Sequence, residues 1–156
     1  MFQFMKTAIT ERDLRASLCH PKAGGMVIFE GRVRNHHRGK SVLFLEYEAY
    51  ETLAEKEGLI ILEEAREKYD ILEVLCVHRT GRVGLGELAV WIGVIAVHRA
   101  SAFEACSFVI DSIKKRLPIW KKEWYGDGET KWVSCQEEAF SSATERPIGR
   151  VCHDHS

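Results

Sequence analysis

Five cationic side chains, Lys114, Lys115, Arg116, Lys121 and Lys122, fall within nine positions around the apolar step of Leu117, Pro118, Ile119 and Trp120, in a chain of net charge −1. Clustered cations in a partly dry pocket repel one another. That favours the neutral amine, which accepts a proton or attacks an electrophile, and the same cluster holds an anion. Each lysine also has a plainer explanation. Cations favour a helix C-terminus by about 0.3–1 kcal/mol, which covers Lys114 and Lys115. Alternation along a strand puts one of Lys121 and Lys122 in solvent. Neither explanation brings Lys114 and Lys121 to a common pocket, whereas a short turn at Pro118 could.

Charge is segregated elsewhere too. Arg32, Arg34, Arg38 and Lys40 lie within nine residues that hold no acid, while eight glutamates between positions 46 and 67 face only Lys56 and Arg66. A solvated face explains either basic block alone; two blocks folded together make a local anion site in a neutral protein. His98 and Arg99 stand where a very apolar strand gives way to a helix, a junction whose free N–H groups and positive helix end suit an anion. The plainer alternative is local packing of His98 with Arg99 in solvent.

Other chemistries find no support. Gly81 and Gly86 are not followed by Lys-Ser/Thr, so they form no phosphate loop. No serine has a nucleophile-elbow context. The terminal Cys-His-Asp-His-Ser run could take a metal only adventitiously, and neither a metal site nor a cofactor is expected. The five cysteines are odd in number, scattered and never CxxC, which fits buried thiols in a reducing, cytoplasmic setting. No apolar run reaches the roughly 20 residues that span a bilayer.

The elements that must position these groups follow from periodicity. Strands are predicted over residues 2–9, 26–34, 41–50, 71–79, 88–99, 119–125 and 130–135. In 41–50, Leu43, Leu45, Tyr47 and Ala49 share one face. Helices are predicted over 10–18 with Thr10 as cap, over 52–69, and over 101–117. Ser101 and Glu104 are positioned for a capping box, Phe103, Cys106, Ile110, Ile113 and Leu117 make an apolar stripe, and Pro118 stops the helix. Gly58 inside the second helix costs about 1 kcal/mol against Ala. The 80–87 segment suits a hairpin or bulged turn. Length and the interleaving of elements point to one α+β domain over residues 1–156, with a mixed, largely antiparallel sheet and a tail from about 136 that wraps a surface or a partner.

The segments "FEGRVRNHHRGKSVLFLEYEAY", "VHRTGRVGLGE" and "VHRASAFEACSFVIDSIKKRLPIWKKE", with "KWV" beyond, resemble the large, catalytic subunit of molybdopterin synthase, collinearly from about residue 24 to 134. The resemblance implies that family's fold and its sulfurtransferase activity. Cyclic pyranopterin monophosphate (precursor Z) becomes molybdopterin as dithiolene sulfurs are installed. Sulfur arrives as a thiocarboxylate on the Gly-Gly tail of a small ubiquitin-like subunit, and the large subunits pair as the central dimer of a heterotetramer whose active site draws on both. By the same resemblance, Arg32, Val33 and Arg34, together with His98 and Arg99, contact substrate. Lys114 lies beside the incoming tail, and Lys121 with Lys122 and Glu123 forms the second lysine segment, Lys114 and Lys121 being the catalytic pair. The chain departs from the family at Ser134, Cys135 and Gln136, where relatives often carry an arginine.

Two other functions compete. A non-catalytic module binding a ubiquitin-like tail needs a groove but not the lysines. A nucleic-acid-binding domain would use the basic blocks with Trp120, Trp124 and Trp132, but the net charge of −1 argues against it. Neither nucleic acid nor membrane is an expected partner.

Overall fold

The run Leu88–Ala96 is buried along its whole length, and the fold is built around it. A computed structural model describes residues 1–136 and 138. In chain order the elements are β1 (Phe2–Met5), α1 (Glu11–Ser17), β2 (Gly25–Arg32), β3 (His36–His37), β4 (Lys40–Ala49), α2 (Glu51–Lys68), β5 (Glu73–Arg79), β6 (Gly81–Gly84), β7 (Leu88–Ala96), α3 (Arg99–Arg116), β8 (Ile119–Tyr125) and β9 (Thr130–Ser134). A four-stranded sheet runs β1-β5-β7-β2, and a second runs β3-β4-β8-β9 with β6 also on β4. Only β1 with β5 is parallel among the described pairs. The class is therefore α+β with mixed, largely antiparallel sheet, as the sequence predicts.

Strand β7 is apolar on both faces because both are covered. On one, Ile61, Leu62 and Ala65 of α2 and Ala105, Val109 and Ile113 of α3 pack with Cys76, Ile92 and Val94. On the other, Leu14 of α1 and Leu18 just after it cover Leu75, Trp91 and Ile95. Arg116 ties the two long helices together, donating to Glu57 at 2.6 Å and to Glu64. Gly58 answers its helix cost: a Cβ there would lie 2.5 Å from the Phe2 ring, so the missing side chain lets β1 close onto α2.

Several expectations need correction. The capping box does not form, because α3 already starts at Arg99 with His98 at the cap position and no side-chain cap bond. Ser101 therefore lies within the helix. Phe103 is exposed and the small Ala102 and Ala105 are buried instead, because α3 lies close against the sheet. On β4, a register shift between Val42 and Phe44 breaks the alternation and turns Leu43 outward. The 80–87 segment is more than a turn: it contains β6, which pairs with β4. Residues 36–41 form a tight hairpin in which β3 pairs with the start of β4. The tail lies outside the described residues apart from Gln136, whose side chain donates to the Leu117 carbonyl, and Glu138. The terminal residues 152–156 are likewise outside them.

Candidate active site

Helix α3 ends at Arg116, and Leu117 leaves it with extended backbone ahead of Pro118. β8 then begins at Ile119, so Lys114 in the last helical turn and Lys121 on the strand flank one bend. Along β8 the side chains alternate strictly. Ile119, Lys121, Glu123 and Tyr125 are buried, and Trp120, Lys122 and Trp124 are only half-buried. The inward set meets the ends of β2 and β7 and the last turns of α3 around a cavity of about 590 Å³. Arg34, Lys114 and Lys121 line it, with Tyr47 and His78 among its other walls. The two basic blocks, far apart in sequence, therefore meet.

The cations differ in what holds them. Lys121 is 9 % exposed, and its ammonium lies 2.8 Å from Glu138 and 3.3 Å from Glu123. Lys114 and Arg34 are exposed and, among the described residues, have no ion-pair partner, which leaves them open to an anionic ligand. Arg32 also lines the cavity, but its guanidinium donates to Glu30 at 2.7 Å and to the Gly86 carbonyl at 2.8 Å.

The remaining sequence-selected residues stand elsewhere. Val33 packs with Val42, Leu45 and Val83, and its backbone bonds to Glu87 and Gly86. Lys122 projects from the other face of β8, its ammonium 4.5 Å from the centre of the Trp124 ring and 5.5 Å from that of Trp132. That aromatic seat accounts for Trp124 and Trp132, while Trp120 packs edge-on against Tyr50. His98 and Arg99 are exposed at the far ends of β7 and α3. His98 lies eight residue steps along extended chain from Val90 on the cavity wall, a span of roughly 26 Å. Within one protomer this pair does not reach the cavity.

Sequence reasoning missed His37, Tyr47, His78, Cys135 and Glu138, all of which line the cavity. Burial pushes His78 down to about 4, with the Lys114 charge acting the same way against its bond to the Arg79 carbonyl. It is neutral near pH 7 and donates from Nδ1 to that carbonyl at 2.7 Å. Burial also pushes the Cys135 thiol up to about 11 and Tyr47 further still, so neither is an anion at neutral pH. Burial alone would raise the Glu123 carboxyl, but hydrogen bonds from Tyr125 and His37 and the charge on Lys121 outweigh it and hold it below its ordinary range. His37, Glu123 and Glu138 bring three ligand-type atoms within 4.8 Å of one another, yet the Lys121 ammonium already sits on both carboxylates as their cation. A wider depression of about 800 Å³ along Tyr69, Phe103 and Phe108 takes Lys115 of the basic block but none of the residues expected to contact substrate or act catalytically.

A sequence profile described as MoaE protein matches residues 4–116. The chain belongs to the MoaE family. Among curated relatives, the "Molybdopterin synthase catalytic subunit" of Thermoplasma volcanium is 45 % identical over 129 residues, covering 80 % of this chain and 94 % of that protein. The protein of the same name from Halalkalibacterium halodurans is 40 % identical, covering 90 % and 89 %. The crystal structure of molybdopterin synthase from Staphylococcus aureus superposes with a TM-score of 0.80 at 36 % identity, over 85 % of this chain and 96 % of that one. A Helicobacter pylori complex of subunits 1 and 2 of molybdopterin-converting factor has a TM-score of 0.69 at 21 % identity, over 87 % and 90 %, a likeness of fold alone. The family's α+β fold and that of this chain are thus the same. Among the described residues no helix is long and apolar enough to cross a membrane.

Proposed function

We propose that this MoaE-family chain is the catalytic subunit of a molybdopterin synthase, a sulfurtransferase of molybdenum cofactor biosynthesis. It takes sulfur from the thiocarboxylated C-terminus of a small ubiquitin-like subunit and delivers it to cyclic pyranopterin monophosphate, forming the dithiolene. The observation that carries this reading is the convergence of Lys114, Lys121 and Arg34 on one cavity, from a helix end and two strands distant in sequence.

The chemistry suits the residues. Arg34 and the exposed Lys114 supply uncommitted positive charge for a phosphate and for a thiocarboxylate. Lys121 is held among carboxylates with its ammonium at the wall, where it can give a proton to the oxygen that leaves as the carbon–sulfur bond forms. Fixed cations in a recess stabilise the oxyanion formed at the tail's carbonyl without reorganising. Uncharged His78, Tyr47 and Cys135 form walls against which a pterin can be buried without adding a competing anion.

The position of His98 and Arg99 supports a dimeric site. Both are exposed, at a strand-to-helix junction suited to an anion, and remote from the cavity of their own protomer. In a central dimer of large subunits, each protomer supplies this pair to the cavity of the other, and a small subunit docks at each outer end. The setting is cytoplasmic, in keeping with unpaired cysteines at 19, 76, 106 and 135.

The test is reconstitution. The chain is mixed with thiocarboxylated small subunit and precursor, and dithiolene product is measured. Product is expected only when all three are present. Absence of product, in an assay where an established synthase turns over, overturns the reading.

A further inference from the structure

We infer that His37 is a positioning residue for Lys121, acting through the carboxylate of Glu123. Glu123 is 2 % exposed, and both of its oxygens are engaged. Tyr125 donates its hydroxyl to Oε2. Oε1 lies 2.7 Å from His37 Nδ1 and 3.3 Å from Lys121 Nζ. A carboxylate oxygen only accepts, so Nδ1 carries the hydrogen. The other ring nitrogen of His37 is 3.9 Å from Glu138, the second carboxylate on Lys121. Histidine and lysine therefore bracket the same two acids.

The local backbone is built to place this imidazole. His37 pairs with Lys40 and His36 with Ser41 across a two-residue turn. Its central residues, Arg38 and Gly39, have φ of 52° and 79°. Two positive φ values in succession are what a tight hairpin matching the strand twist requires. Arg38 is the one non-glycine residue with positive φ among those described, a conformation that costs on the order of 1 kcal/mol or more and persists where its surroundings demand it. Here the turn sends His37 back over β4 toward the inward face of β8.

The consequence concerns where the Lys121 ammonium rests. With His37 donating to Oε1, Glu123 is already satisfied from two sides, and Lys121 stays at the longer 3.3 Å from it, its closer contact being the 2.8 Å bond to Glu138 on the cavity wall. Without that donor the buried carboxylate has one good partner left for Oε1. It draws the ammonium against β8, since an unpaired buried charge is far costlier than a tightened pair. His37 thus keeps Lys121 available, although it does not itself reach the reacting atoms.

This role rests on reading Lys121 as the amine of the transfer step, so the experiment has two readouts. In the first, His37→Ala, His37→Leu and His37→Asn are compared in the reconstituted synthase, with thermal melting as a check of folding. Ala and Leu are expected to lower kcat by about 10- to 100-fold, with KM for pterin and small subunit within about threefold, because the loss is in the chemical step. Asn places an amide N–H near the position of Nδ1 and is expected to restore most of kcat. In the second, Lys121 is labelled with pyridoxal phosphate and borohydride, and the modified peptide is quantified by mass spectrometry. Ala and Leu are expected to slow labelling of Lys121 several-fold relative to Lys114, and Asn to restore it. Unchanged kcat and labelling in the Ala and Leu variants, or an Asn variant as impaired as Ala, overturns the positioning role. If the wild-type chain makes no dithiolene, the synthase reading fails by itself, and the labelling series still decides whether His37 governs the amine.

Discussion

Lys121 and Glu123 stand two residues apart on the inward face of β8, with the ammonium of one 3.3 Å from the carboxylate of the other. In the proposed function this amine exchanges a proton with the substrate that enters the cavity. Lys121→Ala is therefore expected to lower turnover by about 100-fold or more, the range for loss of a positioned proton-transfer group. Glu123 keeps Tyr125 and His37, so the domain remains folded. Single-turnover kinetics beside a thermal melt checks both halves, and near-wild-type turnover would remove Lys121 from the mechanism.

Lys114 should behave differently. It is exposed, lines the same cavity, and has no ion-pair partner among the described residues, as suits a group that meets the incoming tail. Lys114→Ala is expected to weaken binding of the thiocarboxylated tail by about tenfold, the loss of one charge-assisted contact, and to leave the melting temperature unchanged. Titration calorimetry with the small subunit measures it. Unaltered affinity would place the tail elsewhere.

The buried His78 makes stability depend on pH. Its pKa falls from 6.5 to about 4 on folding, so the unfolded chain binds more protons between those values. Stability is full above about 6.5 and declines as pH falls toward 4, by roughly 3 kcal/mol from this group alone. Glu123, also depressed, adds a loss at the acid end as pH drops through its own folded value. His78→Phe keeps a ring against Tyr47 and Phe4 but does not titrate. Its denaturant midpoint is expected to vary less with pH between 6.5 and 4 than that of the wild type, measured by urea melts at several pH values.

Gly58→Ala offers a test of packing. Alanine normally improves a helix interior by about 1 kcal/mol over glycine. Here the new Cβ would lie 2.5 Å from the Phe2 ring, whose core position leaves little room to retreat. Net destabilisation of about 1–3 kcal/mol is expected. A double-mutant cycle with Phe2→Ala checks the cause, since the penalty should largely vanish once the ring is gone.

Much of this is legible in the sequence. Period-two and helical patterns locate the strands other than β3 and β6 and the long helices, Pro118 marks the end of α3, and the two basic blocks name the cations that meet. What escaped depends on distances between segments. Nothing in the spacing of Ser101 and Glu104 reveals that α3 starts two residues earlier, or in that of Leu43 that a register shift turns it outward. His37 and Glu123 are 86 positions apart, so their bond becomes visible only once β3, β4 and β8 are side by side. Lys122 enters the candidate set only through the family resemblance, and strand alternation turns its ammonium to Trp124 and Trp132.

The remoteness of His98 and Arg99 gives the sharpest test of a shared site. If each cavity takes this pair from the other protomer, a chain lacking Lys121 and a chain lacking His98 and Arg99 are each inactive as homodimers. Mixed dimers hold one cavity with both defects and one with neither. Random 1:1 reassociation makes half the dimers mixed, so about a quarter of wild-type activity should return on mixing two dead proteins. A site completed within one protomer predicts no recovery, because every cavity would then carry one defect or the other. The measurement is dithiolene formation after co-refolding Lys121→Ala chains with His98→Ala/Arg99→Ala chains, with subunit exchange verified by native mass spectrometry. Failure to recover activity despite proven exchange would show that the pair does not act across a dimer seam, while leaving the role of Lys121 in its own cavity intact.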